Sequence, residues 1–164
     1  MKTCLLMAGI PGSGKSTFAK AYAASHPNTV VVDTDETRKQ ITGSYLVFPP
    51  HMETIFDEMI RKANAALATL PDPCTVIVDS TFLEDGRRTY YLDRLKGYDQ
   101  IILYMIKFHD YSICYQRNKM RIKEKWVPEE VMHKQLASYV DPSPEVAKRF
   151  DQIIVVYGDD PKAK

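Results

Sequence analysis

The chain has 164 residues, a net charge of +1 and a 45% hydrophobic composition. This length suits a single domain spanning residues 1–164, and the composition excludes disordered, collagen-like and fibrous classes. The near-neutral balance excludes a strongly basic coat for long nucleic acids, while leaving room for a local basic cleft.

The first apolar run, Cys4–Ala8, briefly imitates a secretory leader. It is too short for one and leads straight into a glycine-rich loop, so it reads as a buried strand. That loop, Gly9-Ile10-Pro11-Gly12-Ser13-Gly14-Lys15-Ser16, fits G-x-x-x-x-G-K-[ST] and precedes a predicted helix over Lys15–Ala24. Small residues let successive backbone N–H groups turn inward, where they and a helix N-terminus can meet a phosphate. A nucleotide's phosphates would lie over Gly12, Ser13, Gly14, Lys15, Ser16 and Thr17. Lys15 would reach the β and γ groups and the Ser16 hydroxyl would ligate Mg²⁺. A turn that merely joins strand to helix is the blander reading, and the complete register with both flanks correct argues against it.

A second strand is predicted over Thr29–Val32, followed by Asp33-Thr34-Asp35-Glu36-Thr37-Arg38. A hydroxyl that attacks a γ-phosphate needs a carboxylate to align it and take its proton, and Asp35 just past a strand end suits that role. Asp33 is the alternative base, and Asp33, Thr34 or Asp35 could instead cap the next helix. Arg38, three residues after Asp35, shares its helix face and either clamps a phosphate or pairs with the acid. Thr42–Pro50 reads as a loop ending in Pro49-Pro50, and Met52–Leu70 as a long helix.

The third strand, Thr75–Asp79, ends in a carboxylate. Strand C-termini of a parallel sheet converge on the ligand crevice, so Asp79 is expected beside Ser16, holding Mg²⁺ directly or through water. The alternative is a plain cap for a helix over Arg87–Lys96. After a strand at Ile101–Ile106, the stretch from Lys107 to Lys125 carries Lys107, Arg117, Lys119, Arg121, Lys123 and Lys125 against only Asp110 and Glu124. Usually such a run is a solvated helix face. Here a cationic lid over about 115–128 could stabilise charge on a transferring phosphoryl group and exclude water. Arg117 and Arg121, four apart, should point the same way, with Trp126 packing the lid's base. Helical pattern runs from Tyr111 to about Val140 with a break near Pro128; Asp141–Pro144 is a loop, and Ile153–Val156 the last strand.

Strands without alternation, separated by helices, predict an α/β fold with a five-stranded, mainly parallel sheet covered by helices on both faces. Cys4, Cys74 and Cys114 are odd in number and make no C-x-x-C pair, so neither a disulfide framework nor a thiolate zinc site is expected, and a reducing cytoplasm is the simplest location. No stretch is apolar for long enough to span a membrane. His26, His51, His109 and His133 lack metal spacing, and Tyr98, Tyr104 and Tyr111 read as packing residues.

The loop, Asp35-Glu36-Thr37-Arg38, the stretch Asp79 to Arg88 with its arginine pair, and Arg117-Asn118-Lys119-Met120-Arg121 before Val127-Pro128 together resemble the P-loop polynucleotide 5′-hydroxyl kinases, and they span nearly the whole chain in order. The resemblance implies a three-layer P-loop kinase fold with strand order 2-3-1-4-5. It also implies ATP and Mg²⁺ as cofactors, Asp35 as general base, Arg38 on the acceptor's phosphate, and Arg117 and Arg121 on ATP phosphates. The implied acceptor is the 5′-OH end of RNA or DNA, or a nucleotide-like molecule, with no membrane partner.

Rival readings remain. Kinases of the same superfamily that act on small molecules or sugar nucleotides share the loop and often an Asp–Arg pair. A GTPase would need N-K-x-D, and Asn118-Lys119-Met120-Arg121 lacks the aspartate. Asp33-Thr34-Asp35-Glu36-Thr37 also fits the D-x-D-x-T of aspartyl-phosphate phosphatases, but Gly158-Asp159-Asp160 lacks their later spaced acidic pair. A non-catalytic ATP sensor would not need the Asp35–Arg38 pair.

Overall fold

A computed structural model describes residues 1–161. Five strands, β1 (Lys2–Ala8), β2 (Thr29–Asp33), β3 (Cys74–Asp79), β4 (Gln100–Lys107) and β5 (Gln152–Tyr157), form one sheet in the order β2-β3-β1-β4-β5. Every neighbouring pair is parallel, so the expected order holds and the sheet is wholly rather than mainly parallel. Side chains alternate across a strand. Cys4, Leu6 and Ala8 of β1 therefore enter one core and Leu5 and Met7 the other, which is why the run is apolar throughout.

The helices are α1 (Lys15–Ser25), α2 (Thr34–Thr42), α3 (Glu53–Thr69), α4 (Asp85–Leu92), α5 (Ser112–Met120), α6 (Glu129–Ser138) and the single turn α7 (Pro144–Ala147), with one 3-10 turn at Lys123–Lys125. One core takes α3, α4 and α7; the other takes α1, α5 and α6. Among the described residues no helix is long and apolar enough to cross a membrane.

Four expectations shift. The helix expected over Arg87–Lys96 begins earlier and stops at Leu92, because the Glu84 carboxylate accepts from the Gly86 and Arg87 N–H groups and starts it there. The helical stretch expected to break near Pro128 does so, α6 starting just after that proline, but the break opens earlier, at Arg121. Asn118, 3% exposed, accepts from the Val127 N–H at 3.1 Å and donates to the Val127 carbonyl at 2.8 Å, folding the chain back on itself. Trp126 is half-exposed rather than packed away; its indole N–H donates to the Arg121 carbonyl at 2.8 Å and closes this clasp. Finally, the supposed loop Asp141–Pro144 leads into α7, capped by the Ser143 hydroxyl.

Candidate active site

The C-terminal ends of β1, β2 and β3 meet at one rim, where the register sets Met7 and Asp33 on either side of Asp79. The Gly9–Ser16 loop leaves β1 here and is tied to the turn after β3 by the Gly9 N–H donating to the Thr81 carbonyl at 3.0 Å. Two glycines are sterically required. Gly14, at φ +96°, caps α1 in the left-handed region, and a Cβ on Gly12, at φ +81°, would lie 2.3 Å from the Cys114 carbonyl oxygen of α5. The start of α5 thus presses directly on the loop.

Lys15 is half-buried, not the exposed residue such a loop suggests; its Nζ donates to the Gly9 and Ile10 carbonyls at 2.9 and 3.2 Å. Burial lowers its pKa, with Asp79 the main opposing influence. The Ser13 hydroxyl is buried inside the loop without a hydrogen-bond partner, a donor available to a phosphate oxygen. Thr17 is exposed on the first turn of α1.

Ser16 Oγ donates to Asp79 Oδ2 at 2.8 Å, so the two expected metal ligands are in contact. Asp33, opposite Asp79, caps α2 by accepting the Glu36 N–H at 2.9 Å. Burial and then the Asp79 charge push the Asp33 carboxyl up to about 6. A hydroxyl and two crowded carboxylates form the hard, anionic oxygen set that suits Mg²⁺, with phosphate and water oxygens completing the shell.

Asp35 lies beyond that pair. Its Oδ1 accepts from Arg38 Nη2 at 3.1 Å and its Oδ2 from Arg121 Nη2 at 2.8 Å. Arg38 is only 7% exposed, also donates from Nε to the Tyr45 carbonyl at 3.0 Å, and pairs with the acid as one of its two expected roles requires. Next door, Glu36 accepts from the Tyr45 hydroxyl and from Lys125, and these bonds, Tyr45 foremost, lower its pKa. Arg117 and Arg121 do not share one face, because α5 ends between them. Arg117 Nη1 stays over the loop, 3.8 Å from where a Gly14 Cβ would stand, while Arg121 reaches α2. A cleft of about 520 Å³ runs between Ser16, Asp33 and Asp79 on one wall and Arg121 and Lys125 on the other.

Some positions escaped sequence reasoning. Arg88 is fully buried and donates to the Phe82, Leu83 and Val140 carbonyls, so the Arg87-Arg88 pair points inward at its second member. Phe82 holds φ +42° in the turn after Asp79, an unfavourable conformation for a bulky residue. Tyr139 donates to the Ala8 and Ile106 carbonyls, and the Val140 N–H to the Leu83 carbonyl, fastening the end of α6 to the sheet. Only the helical period of Arg88 could have hinted at its burial.

Residues 5–142 match the profile of a family described as an AAA domain. Among solved structures the fold is similar to a chain of the Pnkp1/Rnl/Hen1 RNA repair complex, at TM-score 0.72 and 22% identity over 92% of this chain and 46% of that one. The protein thus spans less than half of that chain's length. It is also similar to Kti12 from Chaetomium thermophilum in complex with ADP-AlF3, at TM-score 0.67 and 17% identity over 98% and 92% of the two chains. A gluconokinase from Sinorhizobium meliloti 1021 matches at TM-score 0.60 and 18% identity over 98% and 85%. These likenesses show a common P-loop kinase fold.

Proposed function

The chain belongs to this AAA domain family and has a P-loop kinase fold, and we propose that it transfers the γ-phosphoryl group of ATP to a hydroxyl, namely the 5′-OH of an RNA or DNA end. The carrying observation is the Asp35 carboxylate at the head of α2, held from one side by Arg38 and from the other by Arg121 of the segment that crosses the loop. An acid so oriented is suited to receive the proton of an attacking hydroxyl. The amides of Gly12 to Thr17 and the Lys15 ammonium bind the β and γ phosphates. Ser16 and Asp79, with Asp33 beside them, would hold Mg²⁺, which would neutralise charge on the phosphate oxygens. Arg117 and Arg121 offset the charge on the group in transfer, making residues 115–128 the lid of a single domain spanning residues 1–164. Arg38 grips the phosphate one nucleotide beyond the reacting hydroxyl.

Similarity to an RNA repair complex favours a nucleic-acid acceptor over the small-molecule alternative that the gluconokinase likeness supports. All three cysteines are free and buried, in keeping with a reducing cytoplasm. The test is a panel of acceptors with labelled ATP: 5′-OH RNA, 5′-OH DNA, a nucleoside 3′-monophosphate, the bare nucleoside and gluconate. Transfer to the 5′-OH ends and the 3′-monophosphate, well above the nucleoside and gluconate, is expected. Preference for gluconate would give the site to a small molecule, and ADP release indifferent to every acceptor would leave only a nucleotide sensor.

A further inference from the structure

Past Asp35 and Arg38 the contacts lead to an exposed apolar group. Between α2 and α3, Leu46, Val47 and Phe48 are 66, 49 and 60% exposed, immediately before Pro49-Pro50. Contiguous exposed apolar side chains on a folded surface mark a binding surface. Phe48 is the member of the group that packs against the acceptor-side arginine. The Arg38 guanidinium lies 4.5 Å from its ring centroid, and Arg38 is itself fixed by Asp35 and the Tyr45 carbonyl. The ring is thus backed by a cation on one side while most of its surface meets solvent. Tyr45, its neighbour, is already occupied: Lys39 and Lys125 each place an ammonium 4.7 Å from its centroid.

We propose that Phe48 is a stacking ledge for a nucleobase, that of the nucleotide whose 5′-OH is to be phosphorylated. The inference rests on the nucleic-acid reading of Asp35 and Arg38 and names how that acceptor is held. Asp35 touches Arg38 and Arg38 touches Phe48, and a terminal nucleotide presents hydroxyl, phosphate and base as three separate points on one sugar. With the hydroxyl at Asp35 and the neighbouring phosphate at Arg38, the remaining point is the base, and the remaining surface is an aromatic ring. The surroundings select this occupant over an apolar peptide. Arg38 backs the ledge while Lys39 and Lys125 sit on the ring of Tyr45, three residues before it, and interleaved cations and aromatic rings are the pattern that tracks a single strand, stacking its bases without reading sequence. A sugar acid has no planar face to offer such a ring.

The experiment compares 5′-OH oligonucleotides that carry either a base or an abasic residue at the terminal position, using wild type, Phe48→Ala and Phe48→Trp. Since stacking on an aromatic side chain contributes roughly ten- to hundredfold in affinity, wild-type KM should be higher by that factor for the abasic end. In Phe48→Ala this ratio should collapse toward one, with kcat moved far less than KM, and Phe48→Trp should restore it. A terminal 2-aminopurine should be quenched on binding wild type and Phe48→Trp but not Phe48→Ala. An unchanged ratio in Phe48→Ala, or an equal loss on both ends, would overturn the ledge while wild-type transfer to 5′-OH ends kept the function standing. Absence of wild-type transfer to any nucleic-acid end would remove both.

Discussion

Two carboxylates two positions apart, Asp33 and Asp35, face different chemistry. Asp33 is crowded against Asp79 and engaged by the α2 N-terminus, whereas Asp35 is bracketed by guanidinium groups. Asp35→Asn should therefore lower kcat by about 10²–10⁴ with the Kd for ATP nearly unchanged, as expected of a general base on the acceptor side. Should Asp33→Asn produce that loss and Asp35→Asn not, the base is Asp33. Asp33 also makes a stability prediction. Its carboxyl titrates near its ordinary 3.8 when unfolded and near 6 when folded. Between those values the native state binds more protons, so stability falls as pH rises through the window and the deficit is complete above about pH 7. Asparagine keeps the cap and removes the charge. Asp33→Asn should gain on the order of 1–3 kcal/mol at pH 8 and converge with wild type below about pH 4, as read by thermal melts. Parallel melting curves across that range would show that the pair is not strained.

At the scale of elements, the segment between α5 and α6 owes its shape to one buried amide. Without the Asn118 side chain, the Val127 N–H and carbonyl lose their partners, at a cost of about 1–3 kcal/mol. Asn118→Ala should raise tryptic cleavage at Arg121, Lys123 and Lys125 severalfold and lower the global Tm by no more than several degrees. Transfer should slow as Arg121 loses its position over Asp35. Limited proteolysis beside a turnover assay checks both. The same clasp explains what sequence reading missed. Strands were legible because burial on both faces leaves unbroken apolar runs, as in Leu5 to Ala8. The loop and Asp79 were legible because their pattern is local. The end of α5 was not, since it is set by a bond across nine residues of chain, and neither were the burial of Arg88 nor the retreat of Lys15 onto the loop carbonyls. Each depends on what tertiary packing brings alongside.

For the molecule as a whole, a net charge of +1 limits how much of a polyanion can be engaged. Acceptor affinity should fall with salt at a log–log slope of only about −1 to −2, because each phosphate contact on a single strand contributes roughly −0.7. A trinucleotide and a long oligonucleotide should have similar KM values. A slope steeper than about −4 would reveal an extended track that this charge balance does not suggest. Distribution of the fastenings matters as much as the charge. The cationic segment is pinned fore, where the Cys114 backbone abuts Gly12, and aft, where Tyr139 and Val140 are bonded to the sheet and its rim. A strap held at both ends is expected to slacken in its middle rather than swing away as a jaw does. With residues 115–128 as the proposed lid, entry and exit over the site should reduce to unbuckling one short span around the Asn118 clasp, with the sheet and the pressed loop left in place.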